Sequence, residues 1–141
     1  MTAAGSLGWV AHAGQEIHGR DGFTLRLIRI EDEVLEMEAS YSGEGALPPE
    51  HLHPRQTERF EVLEGTIRAS VDGSEHVYGT GDTFEVPPGT PHTMGAETPT
   101  RMRWEVRPAL RTAEFFERLH SGQFGPNFLE EFSEEFRLTA A

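Results

Sequence analysis

Cysteine is absent from the 141 residues, which excludes disulfides, a thiol nucleophile and any cysteine-held zinc. Metal chemistry in such a chain has to be histidine and carboxylate chemistry. Basic residues are also scarce: 12 Lys and Arg stand against 24 Asp and Glu, for a formal net charge of −12. Phosphate backbones demand a concentrated cationic surface, so nucleic acid is excluded as a partner. Long apolar runs are missing too. The opening stretch MTAAGSLGWVAHAG has neither a basic start nor a sustained apolar run, and no later segment approaches the length that spans a bilayer. No membrane partner is expected, and a cytoplasmic location is.

What is there is a succession of short strand patterns. The length suits one domain, 1–141, with a core large enough to need no staples. Residues 23–30, FTLRLIRI, are rich in β-branched and aromatic types and read as a strand. Its apolar parity slips between Leu27 and Ile28, which predicts a bulge or a strand apolar on both faces. Residues 34–41, VLEMEASY, alternate, with Leu35, Met37, Ala39 and Tyr41 on one face. TIRASVDGSEHVY predicts a hairpin turning at Asp72 and Gly73, with Ile67, Ala69 and Val71 inward. Phe84 and Val86 mark the next strand. In RMRWEVR, 101–107, Met102, Trp104 and Val106 lie opposite Arg101, Arg103, Glu105 and Arg107. Strands at such close intervals predict an all-β antiparallel barrel or sandwich over about 23–107.

Beyond Pro108 the period changes. AEFFERLH and NFLEEFSEEFRL carry Phe116 with Leu119, then Phe128, Leu129, Phe132 and Phe136, at helical spacing. Two short helices over about 110–138 are predicted, too short to stand alone and so docked on the barrel or on a second copy. Trp9 and Val10 offer a further apolar surface for an edge strand or a partner contact.

The chemistry gathers in 45–65, GALPPEHLHPRQTERFEVLEG. His51 and His53 stand two apart, so on an extended strand both imidazoles leave one face. Glu58 opens a second strand pattern in which Glu58, Phe60 and Val62 share a face. Imidazole plus carboxylate suits a divalent first-row metal, and three such ligands from adjacent strands leave positions free for water or substrate. Downstream, GDTFEVPPGTPHTMGA at 81–96 bends at Pro87, Pro88, Gly89 and Pro91 before His92 enters the next strand.

Together these stretches resemble the paired motifs of the cupin superfamily. Gly45, His51, His53, Glu58 and Gly65 match the first motif throughout; Gly81, Pro87, Gly89 and His92 match the second, while Ala96 stands where the family has Asn. The resemblance implies a cupin β-barrel, a double-stranded β-helix or jelly roll, followed here by the two C-terminal helices. It also implies one divalent transition metal per chain, iron, nickel, manganese, zinc or copper, held by His51, His53, Glu58 and His92. With that ligand set intact, the expected function is a mononuclear metal-dependent enzyme acting on a small organic substrate, similar to the dioxygenase-like members. The alternatives are a redox-neutral isomerase or cyclase and a small-molecule-binding cupin without turnover. Glu58 is the candidate catalytic base, swinging off the metal to take a substrate proton.

The other histidines, His12, His18, His76 and His120, lack ligand spacing and read as surface residues. Arginines at 26, 29, 101, 103 and 107 read as outer-face residues or as holders of an anionic substrate. Met37, Phe60, Met94, Met102 and Trp104 share inward parity, as core or as the lining of an apolar pocket above the metal. Trp9, the strand at 23–30 and the helical phenylalanines give more apolar surface than one barrel covers easily, so a homodimer is expected.

Overall fold

The computed structural model describes residues 11–44, 47–123 and 125–139. In chain order its elements are β1 (Glu16–His18), β2 (Thr24–Ile30), β3 (Leu35–Tyr41), β4 (His51–Leu52), β5 (Thr57–Glu64), β6 (Thr66–Val71), β7 (Ser74–Gly79), β8 (Thr83–Val86), β9 (His92–Gly95), β10 (Thr100–Arg107), α1 (Thr112–Ser121), α2 (Phe128–Glu131) and β11 (Arg137–Leu138). Six strands form one sheet in the order β1-β2-β3-β10-β5-β8, and five form the other in the order β11-β4-β9-β6-β7. Every pairing is antiparallel. The architecture is the antiparallel cupin barrel that the motifs imply.

Alternation positions the interior. Leu35, Met37 and Ala39 on β3 and Phe60 and Val62 on β5 are buried with one outward residue between neighbours, and on β10 Met102 and Val106 are buried on either side of Trp104, which shares their face. The parity slip in β2 is a real irregularity: Leu27 pairs with Met37 but Arg29 pairs with Glu36, so Ile28 has no partner in the ladder. The hairpin turns at Asp72 and Gly73, both with positive φ (51° and 81°), the mirror-image turn that matches strand twist. At Gly65 (φ 94°) a Cβ would collide with Thr100 Oγ1 and Pro99 O, so the first motif's last glycine lets the chain pass from β5 to β6 close against the start of β10. Gly45, Trp9 and Val10 lie outside the described residues.

Two packed clusters divide the core. Phe60, Val62, Ile67, Ala69, Phe84, Val86, Met94 and Met102 fill the space between the sheets. The β1-β2-β3 side of the large sheet is covered instead by the C-terminal extension, through Phe115, Phe116, Phe128 and Phe132 against Leu25, Leu27, Leu35 and Met37. These phenylalanines are therefore spent within the chain and offer no surface to a second copy. Met37, Phe60, Met94 and Met102 likewise belong to the core. The shallow cleft of about 200 Å³ beside Ser40, Tyr41, Glu64, Pro99, Thr100 and Arg101 involves none of them.

The extension departs from the sequence expectation at its end. Instead of a helix through NFLEEFSEEFRL, α2 stops after one turn, and tight turns follow: Ser133 N–H donates to Glu130 O and Glu135 N–H to Phe132 O. The chain then extends, and β11 pairs with β4. Covering the open edge of β4 satisfies backbone groups that helical propensity alone cannot, so the tertiary contact overrides the local period.

Candidate metal centre

The histidines converge by strand pairing. His51 on β4 lies directly opposite His92 on β9. His53 follows two residues later, and Gly89 N–H donates to its carbonyl at 2.9 Å, tying the proline turn of the second motif to the first. Glu58 comes from the other sheet, on the inward face of β5 beside Phe60 and Val62. The expectation of ligands on adjacent strands is corrected accordingly: residues 53–56 carry the chain from the small sheet to the large one, so the carboxylate faces the imidazoles across the barrel.

The geometry is close and dry. One ligand atom from each of His51, His53 and His92 lies within 4.8 Å of the others, and the rings stand 4.5 to 5.2 Å apart centre to centre. His53 is 5% exposed, His92 and Glu58 1% each, while His51 is half-buried.

Each imidazole is oriented by a backbone carbonyl. Nδ1 of His51 meets Pro49 O at 2.9 Å, Nδ1 of His53 meets Glu135 O at 2.7 Å, and Nδ1 of His92 meets Thr90 O at 2.8 Å. A carbonyl oxygen only accepts, so each Nδ1 carries the proton and each neutral ring presents a bare Nε2 lone pair. Carbonyl-fixed Nδ1–H with Nε2 free is the arrangement that metal-binding histidines adopt.

The carboxylate sharpens this requirement for a cation. Glu58 Oε1 lies 2.9 Å from His92 Nε2 and 3.3 Å from His53 Nε2. Yet Glu58 Oε1 and His53 Nε2, both buried, have no hydrogen-bond partner among the described residues. Lone pairs facing lone pairs at this distance, out of water, need a positive charge between them. Burial opposes ionisation of Glu58, but positive charge on the facing His53 and His92 imidazoles, when they are protonated, outweighs it and holds the carboxyl well below the usual range; a cation bound between them would act in the same direction. Burial pushes the His51 imidazole down to about 4, favouring the neutral ligand form. At His53 burial acts the same way, and the facing carboxylate of Glu58 reverses it to a net rise. The donor set thus fits a divalent first-row ion.

The three histidines singled out in the sequence therefore meet, with Glu58 Oε1 beside two of them, and two contributors were not legible there. Trp104 Nε1–H donates to Glu58 Oε2 at 2.9 Å; Val106 is the direct cross-strand partner of Glu58, and Trp104, two residues earlier on the same face, reaches it diagonally. Phe136 stacks on His51, ring centres 4.8 Å apart, and meets His53 edge-on at 6.0 Å. His12, His18 and His76 are exposed as expected. His120 is not a plain surface residue: it is half-buried against Phe23 and Phe116, and burial lowers its pKa. Arg29, Arg101, Arg103 and Arg107 pair with Glu31, Glu36, Glu38, Glu64 and Glu105, on the side of the large sheet away from the site.

Comparison with known proteins agrees with this geometry. Residues 40–106 match the cupin domain model. An RmlC-like cupin from Shewanella frigidimarina NCIMB 400 superposes with a TM-score of 0.64 at 24% identity, covering 70% of this chain and 87% of that one. KdgF from a Halomonas species gives 0.63 at 18% identity, covering 70% and 91%. An ethanolamine utilization protein Q from Salmonella typhimurium LT2, described as putative, gives 0.55 at 22% identity, covering 62% and 71%. No curated protein matches the sequence. With its barrel, its two motifs and its histidine cluster on one scaffold, the chain carries a cupin domain over residues 40–106.

Proposed function

We propose that this cupin binds one divalent transition metal ion through His51, His53, Glu58 and His92 and acts as a mononuclear, dioxygenase-like enzyme on a small organic molecule. The observation that carries the reading is the buried cluster of three imidazoles whose Nε2 atoms at His53 and His92 face a carboxylate oxygen with no hydrogen-bond partner among the described residues. When bound, the ion supplies Lewis acidity and, if it is redox-active, a place to bring oxygen and substrate together. Pro49, Thr90 and Glu135 carbonyls hold the three imidazoles in one tautomer. Trp104 holds Oε2 of Glu58, so Oε1, which faces the imidazoles, is the oxygen that would hold the ion and, once released from it, accept a substrate proton.

The same Trp104 hydrogen bond favours a second reading, in which Glu58 only neutralises and retains the ion and the protein binds its small molecule without turnover. Oxygen uptake by iron-loaded protein, screened over enediol and phenolic compounds, separates the two. Uptake that falls about 10²–10⁴-fold in Glu58→Gln at equal iron content supports the enzyme with Glu58 as base. Ligand-induced spectral change with no uptake for any compound favours binding alone.

A further inference from the structure

β4 is two residues long, and its pairing with β9 consists of the single pair His51 and His92. So short a ladder does not by itself hold two ligands rigidly. Its other edge is covered by β11, where Arg137 pairs with Leu52 and Leu138 with His51. The same segment supplies the acceptor for His53 Nδ1, the Glu135 carbonyl at 2.7 Å, and the Phe136 ring stacked on His51.

The segment is fastened on both sides of these contacts. The Glu135 side chain, 5% exposed, accepts the Arg111 N–H at 3.1 Å. Glu134 pairs with Arg55 at 2.7 Å, Phe136 stacks on Phe115 at 4.9 Å, and Thr139 Oγ1 donates to Glu50 Oε1 at 2.7 Å. The segment itself lies outside residues 40–106, the part matched by the cupin domain model.

We propose that residues 132–139 form a strap that completes the metal centre, with Glu135 and Phe136 as positioning residues for His53 and His51, so that bound metal and docked strap stabilise each other. The inference rests on the metal-binding reading above. The Glu135 carbonyl keeps the His53 Nε2 lone pair aimed at the ion, as outer partners of metal-binding histidines do. The Phe136 ring limits His51 rotation and shields its exposed side from water. Because coupling between two equilibria is reciprocal, whatever the strap adds to metal retention the metal adds to strap docking.

Cobalt(II) is a suitable probe. Parent, Phe136→Ala and Phe136→Leu proteins are loaded with cobalt, and its release to EDTA is followed by visible absorption. Phe136→Leu keeps apolar packing on Phe115 but not the flat ring over His51. Phe128→Leu is the control, since its described ring contacts are with Phe115 and Phe132 rather than with the site. Release is expected to accelerate about ten- to a hundred-fold in both Phe136 variants and to stay at the parental rate in Phe128→Leu. In the parent, amide exchange over 133–139 is expected to slow when cobalt is added, and not in His51→Ala with His53→Ala. A parent that binds one cobalt per chain, with parental release from both Phe136 variants or no change in exchange, overturns the strap and leaves the metal centre standing. A parent that takes up no cobalt overturns both.

Discussion

At the scale of single residues, Glu58 is held by a neighbour that no ligand pattern names. Trp104 donates the hydrogen bond aligned on Glu58 Oε2, and the indole also stacks on Phe60 at 5.5 Å and meets Phe116 edge-on at 5.2 Å. Trp104→Phe keeps most of that packing and deletes the donor. Affinity for zinc, measured by competition with a chromophoric chelator, is expected to fall about tenfold, with a melting temperature near the parent's. An unchanged affinity would show that the indole N–H does not orient the carboxylate. The four ligand candidates were legible because ligand chemistry resides in side chains, and the spacing of His51, His53, Glu58 and His92 is itself sequence. The carbonyls of Pro49, Thr90 and Glu135 were not, since any residue supplies a carbonyl and only the fold says which one arrives. Trp104 was legible as inward-facing and no further, because a diagonal contact depends on strand register.

At the scale of elements, the junction between barrel and extension rests on Gln56. Its buried side chain donates to Pro108 O at 2.8 Å, Ala109 O at 3.0 Å and Thr112 Oγ1 at 2.8 Å, joining the entry to β5 to the first turn of α1. Gln56→Ala strips these acceptors of their donor. A loss on the order of 2 kcal/mol in urea unfolding is expected, with an unchanged denaturant slope. Loss below the error of that measurement would mean that water replaces the amide. Strands were easy to read here because half of each faces a core, as in the alternation of Leu35, Met37 and Ala39. The C-terminal end was not, since Phe128, Phe132 and Phe136 fit a helical period equally well whether the backbone continues as helix or turns. What decides is the open edge of β4, more than eighty residues earlier in the chain, as the bond from Thr139 N–H to Glu50 O illustrates.

At the scale of the whole molecule, a homodimer remains a proposal, on narrower grounds than the sequence suggested. Phe115, Phe116, Phe128 and Phe132 are buried within the chain, while Ile28 and Ile30 are 36% and 37% exposed on the bulged strand β2. If two copies meet there, Ile28→Lys with Ile30→Lys is expected to shift sedimentation at micromolar concentration from dimer to monomer; a parent already monomeric discards the idea. Among the described residues no helix is long and apolar enough to cross a membrane. The central claim is that the two motifs bring His51, His53, Glu58 and His92 around one metal ion. Elemental analysis of protein purified without added metal, and again after saturation with a single divalent ion and desalting, tests it most directly. One ion per chain is expected in the parent and none in His51→Ala with His53→Ala, and equal metal content in the two proteins would contradict the claim.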